Sequence, residues 1–97
     1  MNIGNGIREL RKHQGRSQNE LAESAGITQA ALSAIENGKR PGIGTLKKIC
    51  TALKVPESLV YVMGMEKGDV PKERRALYDE LYPVIITLVK KVVVPEP

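Results

Sequence analysis

The stretch that most limits what this chain can fold into is residues 17–37, SQNELAESAGITQAALSAIEN. Apolar side chains recur in it at helical spacing in two short groups, and Gly26 stands between the groups. Glycine adopts the left-handed conformation that ends a helix at a lower cost than other residues. Thr28 follows closely and can cap the N-terminus of the next helix with its hydroxyl group. The pattern predicts two short helices joined by a tight turn.

The apolar positions of these two predicted helices are Leu21, Ala22 and Ala25 in the first and Ala31, Leu32 and Ile35 in the second. The side chain of Ala22 is only a methyl group, which lets the second helix cross close to the first. Two helices that cross at a steep angle, with glycine in the turn, are typical of a helix-turn-helix. The second helix of that motif enters the major groove of DNA.

A wider set of residues resembles the Cro/CI-type (XRE) helix-turn-helix family, which has the lambda-repressor-like fold. The matching residues in the central stretch are Gln18, Ala22, Gly26, Leu32, Ile35 and the run Glu36-Asn37-Gly38-Lys39. The segments IRELRK (residues 7–12) and TLKKICTALKV (residues 45–55) also fit the first and fourth helices of that fold. The resemblance covers residues 1–64 and implies an all-α, five-helix DNA-binding domain.

Charge divides the chain into two parts. Residues 1–65 are predicted to form the helix-turn-helix DNA-binding domain, and they contain nine basic and five acidic residues, a formal charge of +4. Residues 66–97 are predicted to form a linker and a C-terminal apolar helical extension, with six basic and six acidic residues. A basic surplus beside the helix-turn-helix agrees with a polyanionic partner such as double-stranded DNA.

The spacing of apolar residues also predicts the flanking helices. It places the first helix at residues 3–13 and the fourth at residues 45–53, and Pro56 suits the first position of a fifth helix. Gly4 and Gly6 are expected to weaken the start of the first helix, because interior glycine disfavours helix formation.

The start of the second helix of the motif should read base edges. Its candidate base-reading residues are Gln29, Ala30, Ser33 and Ala34. The amide of Gln29 can pair with adenine through two hydrogen bonds, whereas the alanine methyl groups can only contact a thymine methyl. Because this set is short and weakly polar, part of the specificity is expected to come from DNA shape, or else discrimination is low.

A second set of polar residues flanks that helix and is predicted to bind phosphate. The candidates are Gln18, Asn19, Thr28, Asn37, Lys39 and Arg40. Gln18 lies at a helix N-terminus, where free backbone N–H groups attract phosphate, and the resemblance implies the same role for it. The resemblance also implies that Arg11 and Glu36 form a largely buried structural ion pair, which locks the first helix to the third.

The C-terminal part carries a repeating apolar pattern. Its candidate dimerisation residues are Leu77, Leu81, Val84, Ile85, Leu88 and Val92. Their spacing is close to that of a coiled-coil seam, so we expect a helix that dimerises or folds back on the fifth helix. Pro83 predicts a kink or a break. The β-branched residues also permit a strand, a membrane-surface helix is the weaker alternative, and residues 93–97 (VVPEP) are expected to fray.

These features together favour a sequence-specific DNA-binding transcriptional regulator, a repressor that binds a pseudo-palindromic operator as a homodimer. The alternative is a protein-interaction module, such as an antitoxin or adaptor, that docks a partner protein through the C-terminal segment. The chain lacks a recognisable pairing of nucleophile and base, so it is not expected to be an enzyme. His13 and Cys50 stand alone, so we expect no catalytic site, no metal site and no cofactor. No apolar leader or membrane span is visible, so we expect a cytoplasmic protein without a membrane partner.

Overall fold

A computed structural model of the chain describes residues 1–95, and every regular element in that range is helical. The α-helices are α1 (Ile3–His13), α2 (Gln18–Ala25), α3 (Gln29–Glu36), α4 (Ile43–Leu53), α5 (Glu57–Met63) and α6 (Arg75–Val93). Two single turns of 3-10 helix, Lys67–Asp69 and Lys72–Arg74, lie between α5 and α6. The predicted all-α class is confirmed, and the alternative of a C-terminal strand is wrong.

Local capping contacts define the turn between α2 and α3. The Ser17 hydroxyl accepts a hydrogen bond from the backbone N–H of Glu20, whose carboxylate accepts one from the N–H of Ser17. Gly26 ends α2 in the left-handed conformation, with φ of 72°. The Thr28 hydroxyl then accepts a hydrogen bond from the N–H of Ala31 at 3.0 Å. These contacts position α3 because they fix where each helix begins and ends.

Three expected details differ at the helix ends and in the core. Helix α4 begins at Ile43 rather than at residue 45, because Gly42 takes the extended cap conformation. Pro56 caps α5 from outside instead of occupying its first turn. Ala31, expected on the apolar stripe of α3, is exposed, so only Leu32 and Ile35 form that stripe.

Helices α1 to α5 enclose a single aliphatic core, which Ile86 of α6 and Val94 also join. Its fully buried large side chains are Ile7, Leu10, Leu21, Leu32, Ile49, Leu53 and Val60. Cys50 belongs to the same core with 3% of its surface exposed. Burial raises the pKa of the Cys50 thiol to about 11, so it packs as a small apolar side chain at neutral pH.

The two glycines near the start of α1 allow a close backbone approach. A Cβ added at Gly4 would lie 1.9 Å from the carbonyl oxygen of Ile35 in α3. A Cβ added at Gly6 would lie 2.7 Å from the carbonyl oxygen of Val60 in α5. The missing side chains at these two positions therefore allow α1 to pack directly against two other helices, and the lower helix propensity of glycine is the cost.

One side of α6 folds back on α5. The Tyr82 hydroxyl donates a hydrogen bond to the carbonyl of Val62, and the Tyr78 hydroxyl donates one to the carbonyl of Met65 at 2.8 Å. The two tyrosine rings stack with centroids 4.6 Å apart. Ile86, 9% exposed, joins the core from the next turn of the helix. These contacts hold the N-terminal and middle parts of α6 against the domain.

The middle and the end of α6 each depart from expectation. The helix continues through Pro83, so of the predicted kink or break the break is absent. Of the residues expected to fray, Val93 is the last of α6 and Val94 is buried at 4% exposure. Glu96 and Pro97 lie outside the described residues. Within residues 1–95, none of the helices combines the length and the apolar character that crossing a membrane requires.

Candidate nucleic-acid interface

The predicted base-reading residues all lie on the side of α3 that points away from the core. Gln29 and Ala30, in the first turn, are exposed, and Ser33 and Ala34 are half-buried one turn later. The first turn is therefore the part of α3 that is most open to a ligand as large as duplex DNA. Its only long polar side chain is that of Gln29.

The predicted phosphate-binding residues surround the two ends of α3. Gln18 and Asn19 begin α2, Thr28 caps the N-terminus of α3, and Asn37, Lys39 and Arg40 follow its C-terminus. All of them except Gln18 are exposed. Among the described residues, neither Lys39 nor Arg40 takes part in a salt bridge, so their charges remain free for an anionic partner.

The carboxylate of Glu36 lies at the centre of a buried polar cluster. Its side chain has no exposed surface. Arg11 grips it with two hydrogen bonds, from Nε at 2.8 Å and from Nη2 at 2.9 Å. Gln18 donates a third from Nε2 at 3.0 Å, and Arg8 Nε approaches at 3.5 Å. The contact between Arg11 and Glu36 thus joins α1 to the C-terminus of α3, and Gln18 brings α2 into the cluster.

This arrangement keeps Glu36 ionised. Burial alone would raise the pKa of Glu36, because it disfavours the charged carboxylate. The hydrogen bonds from Arg11 and Gln18 outweigh burial and hold the pKa below its ordinary value. The hydrogen bond to Glu36 also raises the pKa of Arg11. Both groups therefore carry full charge at neutral pH.

An ionised carboxylate only accepts hydrogen bonds, and this sets the direction of two amides in turn. Gln18 must present its Nε2 group to Glu36, so its Oε1 atom points away from the carboxylate. That oxygen accepts a hydrogen bond from Nε2 of Gln29 at 2.8 Å. Gln29 is exposed, and among the described residues its Oε1 atom takes part in no hydrogen bond, while its Nε2 group keeps a second hydrogen that can donate. They match the N6 donor and the N7 acceptor of adenine.

We call the residues of this chain of contacts, Arg11, Glu36, Gln18 and Gln29, the amide relay. The sequence predicted its members as an ion pair, a phosphate contact and a base contact, and the connection between them was missed. The hydrogen bond between Gln29 and Gln18 depends on how α2 crosses α3, and the spacing of residues in the sequence does not predict the distance between these two side chains. The relay also engages both ends of the Gln18 amide, which leaves one Nε2 hydrogen for a phosphate.

Arg8 is a further residue that the sequence analysis missed. Its Nη2 group donates a hydrogen bond to Oδ1 of Asn37 at 3.1 Å, and Nδ2 of Asn37 lies 3.5 Å from Oγ of Ser33. Arg8 precedes Arg11 by three residues on α1, so both can reach the end of α3. That spacing is the signal that could have identified it. The orientation of Asn37 is therefore partly set before any ligand binds.

The start of α4 borders the exposed surface of α3. A shallow cleft of about 140 Å3 is lined by Ala31 from α3, by Lys39 and Arg40, and by Gly42 and Thr45. Gly42 provides no side-chain cap, so the first N–H groups of α4 have no side-chain acceptor at the cap. Ile43, 85% exposed beside this cleft, is an apolar position that the sequence analysis did not assign to the interface.

Comparison with known proteins agrees with this geometry. The profile of a family described as helix-turn-helix matches residues 7–60, more than half of the chain. An uncharacterised HTH-type transcriptional regulator, RghRB of Bacillus subtilis, is 38% identical over 94 residues, which cover 92% of this chain and 68% of that protein.

Two further relatives match about two thirds of this chain. The HTH-type transcriptional repressor RghR of Bacillus subtilis is 43% identical over 64% of this chain and 48% of its own length. The transcriptional regulator ClgR of Mycobacterium tuberculosis is 39% identical over 67% of this chain and 59% of its own length. The chain thus spans about half to two thirds of the length of these curated relatives. The matched profile, the relatives and the arrangement of α2 and α3 together place the chain in the Cro/CI-type (XRE) family of helix-turn-helix DNA-binding proteins.

Proposed function

We propose that this chain is a transcriptional repressor that binds a pseudo-palindromic operator as a homodimer and inserts α3 of each protomer into the major groove. The observation that supports it best is the amide relay, which orients the side-chain amide of Gln29 at the exposed first turn of α3. A preorganised reading group loses little side-chain entropy on binding, which favours sequence discrimination. The family and the names of the relatives support a DNA-binding regulator rather than an enzyme.

Base readout would be concentrated at one position of each half-site. Gln29 would pair with adenine, and Ala30 would contact a neighbouring thymine methyl group. Ser33 and Ala34 lie deeper and would approach the groove wall. Because one residue carries most of the direct readout, DNA shape is expected to contribute at the remaining positions.

Phosphate contacts would supply most of the affinity. Lys39 and Arg40 carry free positive charges next to α3, and Asn19 and the first N–H groups of α2 lie at its other end. Each phosphate neutralised by a cation adds about 0.9 to the slope of log affinity against log salt concentration on duplex DNA. We therefore expect binding to weaken steeply between low and physiological salt.

Dimerisation would set the spacing of the half-sites. Two α3 helices of a twofold dimer reach successive major grooves when their centres are about 34 Å apart. The exposed apolar side of α6 supports self-association, because none of the described residues covers it. A chain that stays monomeric would instead favour the interaction-module alternative, in which α6 docks a different protein.

Selection of binding sites from randomised duplex DNA tests this function. We expect enrichment of a sequence with two half-sites related by a twofold axis, each with an adenine that Gln29→Ala no longer prefers. Loss of a bidentate contact of this kind costs about 1–3 kcal/mol of discrimination. Lys39→Ala should weaken binding to every sequence alike, whereas Lys72→Ala, a matched change in the linker after α5, should leave it unchanged. Failure to enrich any sequence, with equal binding by Gln29→Ala and the unchanged chain, would overturn the proposal.

A further inference from the structure

One exposed side of α6, next to the side that packs on the domain, carries a continuous apolar stripe. Its exposed side chains are Leu77, Leu81, Val84, Ile85, Leu88 and Val92, and we call them the outer face of α6. Their exposures range from 49% for Leu81 and Ile85 to 86% for Val92. None of these side chains forms part of the core, which α6 meets through Tyr82 and Ile86 on the neighbouring side. An apolar face of this length is characteristic of an interaction surface.

The spacing of the outer face is symmetric about its own midpoint. Val84 and Ile85 lie on either side of that midpoint, and the remaining four positions form two equidistant pairs: Leu81 with Leu88, and Leu77 with Val92. If a second copy of α6 lies against the first in the opposite direction, each apolar residue meets an apolar residue at every level. A surface that pairs with itself through a twofold axis must have this property.

The charges at the border of the outer face have the same symmetry. Glu80 and Lys91 are exposed and lie eleven residues apart, which is about three helical turns, so both border the same edge of the face. An antiparallel pair brings Glu80 of each copy next to Lys91 of the other at both ends of the contact. In a parallel pair, Glu80 of one copy would instead face the opposite edge of the other copy's outer face. The residues at that edge, Tyr78 and Val89, are uncharged. The charges therefore favour the antiparallel direction.

A groove beside the N-terminal half of α6 lies where the second copy would be. It has a volume of about 300 Å3, and α5, the linker and α6 contribute its lining, which includes Val62, Met65, Val70, Leu77 and Leu81. In an antiparallel pair, the C-terminal half of the second α6, with Leu88 and Val92, runs along this groove. The groove thus offers an apolar surface on which the C-terminal half of the second α6 can pack.

From the symmetric spacing, the border charges and the groove, we infer that two copies of this chain associate through antiparallel pairing of their α6 helices, with the twofold axis between Val84 and Ile85. This inference rests on the proposed homodimer and adds its geometry. The helix-turn-helix domains of the two protomers then project from the same helix pair, and this pair sets the distance between the two α3 helices.

Disulfide trapping measures the direction of pairing. Leu81→Cys and Leu88→Cys are changes at exposed positions, and the native thiol of Cys50 is buried, so it does not compete. We expect an equimolar mixture of the two variants to form the mixed disulfide at least about tenfold faster than Leu81→Cys alone, because two Leu81 positions of an antiparallel pair lie about 10 Å apart along the helix axis. A mixture of Leu81→Cys with Thr87→Cys, which lies off the outer face, should behave like the single variant.

Charge exchange provides an independent readout. Glu80→Lys and Lys91→Glu should each raise the dissociation constant of the dimer roughly tenfold, because two ion pairs become two repulsive contacts. The chain with both substitutions should return to within about twofold of the original value. An equimolar mixture of the two single variants should form a heterodimer in preference to either homodimer.

The outcomes separate this inference from the proposed function. A full-length chain that remains monomeric in sedimentation equilibrium overturns both. A dimer in which Leu81→Cys alone gives the fastest disulfide is a parallel pair, which overturns the antiparallel geometry and leaves the proposed homodimer intact. A dimer that is insensitive to every α6 substitution associates through another surface, with the same consequence.

Discussion

Gln29, on the exposed side of α3, is held by a directional contact, whereas the outer face of α6 consists of apolar side chains that cannot form hydrogen bonds. At α3, a buried carboxylate orients Gln18, and Gln18 orients Gln29. Along α6, contact area and spacing decide what can bind, because the hydrophobic effect has no direction. A change in the first region should alter which sequence is recognised and how stable the domain is. A change in the second should alter how many copies assemble, with the domain itself intact.

The most disruptive expected change removes the anchor of the first region. Glu36→Ala leaves the charge of Arg11 in a largely buried site without a partner, which costs about 3–5 kcal/mol of unfolding free energy. Urea denaturation followed by circular dichroism measures this loss. Glu9→Ala is the matched control, since Glu9 is exposed and its removal should change stability by less than about 0.5 kcal/mol. Equal stability of the two variants would show that the cluster does not hold α1 to α3.

The next largest effect is expected on α6. Leu81→Asp places a charge within the outer face of both copies, about one turn from its midpoint, so the dissociation constant of the dimer should rise at least about 100-fold. Sedimentation equilibrium measures the change. The unfolding free energy of the monomer should remain within about 0.5 kcal/mol of the original, because Leu81 is exposed in the single chain. A large loss of monomer stability would mean that the outer face is part of the core after all.

A smaller effect is expected within the amide relay. Gln18→Ala removes the acceptor that orients Gln29 but leaves the contact between Arg11 and Glu36 in place. We expect the preference for adenine to fall by about tenfold, and the unfolding free energy to fall by less than in Glu36→Ala, because Arg11 still pairs with the carboxylate. Competition binding with operators that carry each of the four bases measures it. Unchanged base preference would show that Gln29 reads DNA without being oriented by Gln18.

The smallest expected loss of unfolding free energy comes from lowering the pH, because protonation removes the charge of Glu36 without deleting its side chain. The folded-state pKa of Glu36 lies below its ordinary value, so the folded state binds its proton less readily than the unfolded chain. The stabilisation from Glu36 is therefore complete above its ordinary pKa and is lost as the pH falls through the depressed folded-state pKa. Urea titrations between pH 7 and pH 3 should show this decline. Glu36→Gln should remove its share of the slope, and an unaltered slope would assign the decline to other carboxyl groups.

Sequence alone was sufficient where the signal is local. Gly26, Thr28 and the spacing of Leu32 and Ile35 each act within a few residues, and the structure confirms the two helices they predicted. Family resemblance supplied the pairing of Arg11 with Glu36, which no local pattern contains.

Sequence was insufficient where distant backbone segments meet. From the sequence, Gly4 and Gly6 were predicted only to weaken the first helix. Their role in close packing was not predicted, because the carbonyl groups that they approach lie in the distant helices α3 and α5. The continuity of α6 through Pro83 likewise depends on tertiary contacts, since Tyr82 and Ile86 on either side of it are held against the domain. The base-reading and phosphate-binding roles of the individual residues stay predictions until DNA binding is measured.

The tyrosine pair of α6 gives this protein an optical property that its other regions lack. The chain has no tryptophan or phenylalanine, and two of its three tyrosines are the stacked Tyr78 and Tyr82. Near-ultraviolet circular dichroism and intrinsic emission therefore report mainly on whether α6 is packed against the domain, whereas the far-ultraviolet amide signal reports on all the helices. If α6 detaches before the domain melts, the two spectra will change at different temperatures, and that separation can be read without attaching any label.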